Sequence, residues 1–295
     1  MKSAVGDPPP SSFLARNEFL IRRLHSLSGL IPVGAYMVIH LLTNATVLES
    51  SVLFQRLVYQ IHGLPLLVAI EWIFIFIPIL FHAIIGVLII RGSLPNSGTY
   101  KYGSNIRYTL QRATGMIAFV FILIHVFHMH GWFHLPAWRQ GVVEPLGGGQ
   151  FRPYNAASTA AAALSSIGYQ IFYVVGVLSS VFHLANGIWT FGITWGIWVT
   201  PAAQRWATTA CLLFGIALGA VGLGALGGFA YTVDVEKARQ QENEIYAERV
   251  KAGDVLPDEH KRYHPPTAKA SETAGLNPEP GSERHRGHSL QVPRP

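Results

Sequence analysis

The sequence predicts an all-α integral membrane protein, a bundle of five transmembrane helices followed by a polar, largely disordered tail. Three observations predict it. Half of the 295 residues are hydrophobic and only 13% are charged, where a soluble domain carries about 25% charged residues. The charge is segregated: residues 1–233 hold five acids and twelve Lys/Arg, and the last 62 hold eleven acids and ten bases. Five apolar runs reach the roughly 20 residues that a bilayer crossing requires.

Residues 1–23 are polar and Pro-containing, and residues 24–231 form the membrane domain. The spans are expected near Leu24–Leu42, Pro65–Ile90, Thr114–His130, Gly168–Trp195 and Ala207–Tyr231. Pro65 suits a helix start, whereas Pro32 and Pro78 fall inside spans, where neighbouring helices can tolerate a kink. Trp132, Trp138, Trp195, Trp198 and Trp206 gather near span ends, as interfacial tryptophans do. The small-residue stretch Gly215–Gly228 suits close helix packing. Residues 232–295 read as a short charged helix through Val250, then a Pro/Gly/charge-rich stretch without a core.

Loop charge sets the orientation. With the N-terminus cytoplasmic, Lys2, Arg16, Arg22, Arg23, Arg91, Lys101, Arg107, Arg112 and Arg205 lie inside and only Arg56, Arg139 and Arg152 outside, a positive-inside distribution. Five spans then place the tail outside. The basic excess belongs to these loops, and no cluster has the density that nucleic-acid binding requires. A single cysteine, Cys211, excludes a disulfide framework and a self-contained iron–sulfur cluster.

The chemistry resides in the histidines. His40, His82, His125 and His183 each lie well inside one of the first four spans, where an ionisable ring is costly and marks function. His40 lies 16 residues past the inner end of its span and His125 13 residues past Arg112, or roughly 24 and 20 Å along an α-helix. His82 and His183 lie 17 and 15 residues from the outer ends of their spans. His40 therefore matches His125 in depth and His82 matches His183. Two coplanar pairs at two levels are what two bis-histidine haems require, the outer on His40 and His125, the inner on His82 and His183. Gly86 and Gly187, each four residues after its histidine, share its helical face and would make room for a flat macrocycle. Gly176 lies on the same face. His128 is an alternative to His125 one turn on, and His128, His130 and His134 could alternatively bind a surface metal or remain solvated.

The chain resembles the five-helix, two-haem cytochrome b subunit of succinate:quinone oxidoreductases. The resemblance is carried by RRLHSLSGLIPVG (Arg22–Gly34), HLLTN (His40–Asn44), IEWIFIFIPILFHAIIGV (Ile70–Val87), LQRATG (Leu110–Gly115), HVF (His125–Phe127) and YVVGVLSSVFHLANGIWTFGITWGIWVTPAAQR (Tyr173–Arg205). It implies haem-iron ligation by the same four histidines in the same pairs, and two haem b per chain. It implies flavoprotein and iron–sulfur partner subunits at the cytoplasmic face of a bacterial-type inner membrane, with a quinone, expected to be menaquinone, as electron acceptor. Succinate oxidation, fumarate reduction or the cytochrome b role in another quinone-linked oxidoreductase all remain open at this point. Quinone reduction consumes protons. Glu71, the one acid inside a span, is the candidate catalytic group near the outer haem level, with His62 a weaker one. Arg22, Arg23 and Ser26 at the inner end of the first span could meet haem propionates, and Asn186 could do so or orient the His183 ring. The long tail departs from the family pattern.

Overall fold

The computed structural model describes residues 16–91, 103–133 and 135–264; Lys2, Lys101, His134 and the Pro/Gly-rich part of the tail lie outside the described residues. Five helices are long and apolar enough to cross a membrane: α1 (Glu18–Leu48), α3 (Leu67–Arg91), α4 (Gly103–His130), α6 (Ile167–Thr194) and α7 (Pro201–Thr232). Among the described residues, three further helices of eight or more residues occupy the connections and the tail: α2 (Ser51–His62), α5 (Ala156–Ala163) and α8 (Val235–Ala252). No strand occurs among the described residues.

Several spans are longer than hydropathy indicates. α4 starts eleven residues before the expected Thr114, because its first turns carry Asn105, Arg107 and Arg112, which are polar yet favourable or neutral for a helix. α1 departs from α-geometry at Gly29–Gly34, where Ile31 is extended (φ −130°, ψ 115°) ahead of Pro32. Proline lacks an N–H and clashes with the preceding turn, so a break falls there. In α3 a π-turn, Trp72–Phe76, precedes Pro78, an adjustment of the kind that accommodates proline inside a membrane helix.

α6 lies at the centre, packed on α4 and α7; α1 packs its C-terminal half on α7 and its N-terminal half on α3. The small residues of α7 permit this closeness: a side chain at Gly222 would meet Val177 and Leu41, and one at Gly215 would meet Ala185. The lipid-facing sides stay apolar and open, as at Ile73, Phe74, Ile84, Leu212 and Ile216.

α2, α5 and α8 form a cap at one end of the bundle, packed on each other. α5 is a run of small residues, AASTAAAA, buried almost completely. Its first amides would be orphaned, but three acquire partners. Gln55 of α2 accepts from the Ala156 amide (2.7 Å), and Glu242 of α8 accepts from those of Ala157 (2.7 Å) and Ser158 (3.1 Å). Glu242 also accepts from the Ser158 hydroxyl (2.5 Å) and the Asn155 amide (3.5 Å), and is 1% exposed. Tyr154 stacks between Tyr59 and Tyr246, with centroids at 5.2 and 5.4 Å. The charged tail helix is therefore a fixed part of the cap. Its pattern gave only the helix, since one acid among many on a polar helix does not announce burial.

Candidate functional site

The bundle brings the four span histidines together in two pairs. The rings of His82 (α3) and His183 (α6) have centroids 6.0 Å apart at 81°. Those of His40 (α1) and His125 (α4) are also 6.0 Å apart, at 70°. A metal takes an imidazole nitrogen at about 2 Å and the ring centre lies about 1.1 Å behind it, so two imidazoles ligating one ion from opposite sides have centroids about 6 Å apart. Both pairs match that spacing. No cluster of three or more His, Cys, Asp or Glu suited to a metal occurs among the described residues, and the alternative at His128, His130 and His134 includes His134, which lies outside them. His128 is not paired with His40; it is buried and stacked on Tyr169, centroids 4.0 Å apart.

The inner pair is held by one device used twice. His82 Nδ1 donates to the backbone carbonyl of His25 on α1 (2.9 Å), and His183 Nδ1 donates to that of Gln111 on α4 (3.0 Å). A carbonyl can only accept, so each ring is protonated at Nδ1 and keeps Nε2 as a free lone pair. Four residues beyond each carbonyl stands a glycine: Gly29 after His25, Gly115 after Gln111. A helical carbonyl points toward residue i+4, so a ring bonded to it lies over that residue's Cα. A Cβ at Gly29 would run into the His82 ring, and one at Gly115 would lie 2.8 Å from His183 Cε1.

The room for the rings thus comes from glycines on the facing helices. Gly187 has Gln111 Nε2 as its nearest neighbour, at 3.7 Å, Gly86 faces His25, and Gly176 receives Phe121. These three glycines do not carry the imidazole contacts, and their expected part in making room for a flat macrocycle is a separate matter from the seating of the rings. The usable signal is the repeated spacing, H-x-x-x-G in one helix and Q-x-x-x-G in another, which takes meaning only once the facing histidines are known.

Asn186 stands behind the inner pair. Its Oδ1 accepts from Arg107 Nε (3.1 Å) and Nη2 (2.7 Å), and its amide donates to Gln111 Oε1 (2.8 Å). Gln111 Nε2 in turn donates to the His183 carbonyl (3.1 Å). The Arg107 guanidinium lies 4.0 Å from the centre of the Trp189 ring. Arg107, read from sequence as part of a basic loop, belongs to this network. Arg22 pairs with Glu18 on the exposed surface (2.7 Å). Arg23 lies over the Phe19 and Trp195 rings at 4.4 and 5.1 Å and donates to the Thr194 carbonyl (3.4 Å). Ser26 is half-buried on the N-terminal part of α1.

At the outer pair, Tyr36 stacks on His40 with centroids 5.5 Å apart, and half-buried Glu71 is within electrostatic reach of Tyr36. His125 Nδ1 meets the Tyr173 hydroxyl at 3.1 Å. His62 lies in the cap, where burial, then Lys261 and His130 nearby, push it down to about 4.

No protein-family model matches the chain. The succinate dehydrogenase cytochrome b558 subunit of Bacillus subtilis (strain 168) is 38% identical to it over 212 residues, 72% of this chain and 97% of that relative. That near-complete coverage, a five-span helical bundle and histidines matched in depth on four of its spans make one conclusion: the chain belongs to the family of succinate dehydrogenase cytochrome b subunits.

Proposed function

We propose that this subunit holds two haem b, one between His82 and His183 and one between His40 and His125, and passes electrons through them to a quinone. The single observation that carries the reading is the 6.0 Å spacing of both imidazole pairs. Bound there, a haem supplies a one-electron iron couple whose potential is set by its axial ligands and their surroundings. The chain's own residues fix the rings. The carbonyls of His25 and Gln111 hold the inner pair in the Nδ1–H tautomer, and Gly29 and Gly115 let the ring edges approach the facing helices.

The positive-inside distribution supports a cytoplasmic position for the His82–His183 end. There a flavoprotein and an iron–sulfur subunit would deliver electrons from succinate. The cap and tail then lie outside, and menaquinone would be reduced near the outer pair. Glu71 is the proton-delivering group of this reading, supported by its lying within electrostatic reach of Tyr36, which stacks on His40.

The test is a redox titration of the assembled complex, which should show two low-spin b-type transitions per chain, both reducible by succinate. One transition, or none, would refute the two-haem reading. Glu71→Gln should leave both transitions reducible by succinate and slow quinone reduction about 100-fold, the scale of a lost proton-transfer group. Unchanged quinone turnover in that variant would remove Glu71 from the mechanism.

A further inference from the structure

The Tyr173 hydroxyl sits between two histidines of α4, 3.1 Å from His125 Nδ1 and 2.9 Å from His128 Nδ1. Tyr173 and His128 are 6% and 3% exposed, so neither bond is shared with bulk water. Proton inventory fixes the direction of the chain. Accepting the reading that His125 ligates iron, its metal-bound nitrogen is Nε2 and its proton is on Nδ1, which must donate. The tyrosine oxygen accepts that proton's bond and has one proton of its own to give. The remaining partner is His128 Nδ1, which therefore accepts, leaving the His128 proton on Nε2.

We infer that Tyr173 is a positioning residue for the outer haem: the relay His125 Nδ1–H to Tyr173 Oη–H to His128 Nδ1 orients the His125 ring and strengthens it as an electron donor. A bond accepted from the far nitrogen makes an imidazole more basic. A more basic ligand favours the ferric state, and bonds in a chain polarise one another. The inner ligands donate instead to backbone carbonyls, which substituting the residue that carries the carbonyl does not delete. The outer ligand thus depends on a replaceable group where the inner ones do not.

Tyr173→Phe keeps the ring that packs edge-on against Phe121, centroids 5.4 Å apart, and deletes only the hydroxyl. In the full complex it should retain two haems and shift the potential of one upward. At fixed ambient potential the reduced-to-oxidised ratio of that haem should rise by up to about tenfold, which is about 59 mV for a one-electron couple. The low-temperature EPR g-values of the same haem should move, and the other haem should stay unchanged. His128→Phe, which preserves stacking on Tyr169, should shift the same haem in the same direction by less. Unaltered potentials and g-values in Tyr173→Phe with both haems present would overturn the inference. If Tyr173→Phe does not assemble, unaltered values in His128→Phe would overturn it equally. Two haems surviving in His125→Leu would instead overturn the ligand reading on which it rests.

Discussion

Replacing His183 with leucine should leave the purified complex with one haem per chain, and alanine at Gly115 should do nearly the same without touching any imidazole. His183 is held by a single bond to the Gln111 carbonyl and lies against the α4 backbone, where a Cβ at residue 115 would stand 2.8 Å from Cε1 and 3.0 Å from Nδ1. α4 is packed against α6 along their length, so the backbone has little freedom to retreat. The ring must tilt away, losing both its fixed tautomer and its aim toward His82. Loss of such supporting contacts costs about 10–100-fold in metal affinity. Gly187→Ala is the contrast. Its new methyl would meet nothing closer than Gln111 Nε2 at 3.7 Å, so both haems should remain. The haem-to-protein ratio by pyridine haemochrome reads all three variants. Retention of two haems in Gly115→Ala would show that the close approach does not hold the ring.

Glu242→Ala should destabilise the cap by about 3–5 kcal/mol, among the larger effects of a single substitution. The carboxylate accepts from two backbone amides, the Ser158 hydroxyl and Asn155, all in the interior. Each buried donor left without a partner costs about 1–3 kcal/mol, partly relieved if water enters. Glu242→Gln keeps one oxygen acceptor but turns an NH2 group toward donors, so it should recover only part of the loss. Limited proteolysis between α7 and α8, together with thermal melting in detergent, would measure both. Resistance of Glu242→Ala equal to that of the parent protein would mean that the Tyr59–Tyr154–Tyr246 stack alone secures the cap.

The membrane part of the fold was legible because a bilayer makes apolar length a strict requirement; five runs in the sequence are five spans in the structure. The histidine pairing was legible from depth, since residue counts along a helix translate directly into height across the membrane. Boundaries were less so. Arg107 and Arg112 look like loop residues by hydropathy, yet Arg107 has a partner in Asn186 that makes its place in α4 favourable. Gly29 and Gly115, against which the imidazoles rest, could not be picked out because helical periodicity reports only neighbours on the same helix. Gly115 and His183 lie 68 residues apart in the chain, and no local pattern links them. Tyr173 was passed over for the same reason, and the cap because Ala-rich α5 and charged α8 each look exposed until the other is present.

The cap also has a consequence for biogenesis. Its three helices arise from the first connection, the third connection and the segment after the last span, so four of the five crossings separate its parts. Until α8 emerges, two amides at the head of α5 lack their carboxylate. Maturation of this end therefore waits for insertion to finish. Chains stalled before the fifth crossing, or threaded with the wrong handedness through the bilayer, would present an unsealed Ala-rich plug, a recognisable mark for membrane quality-control proteases.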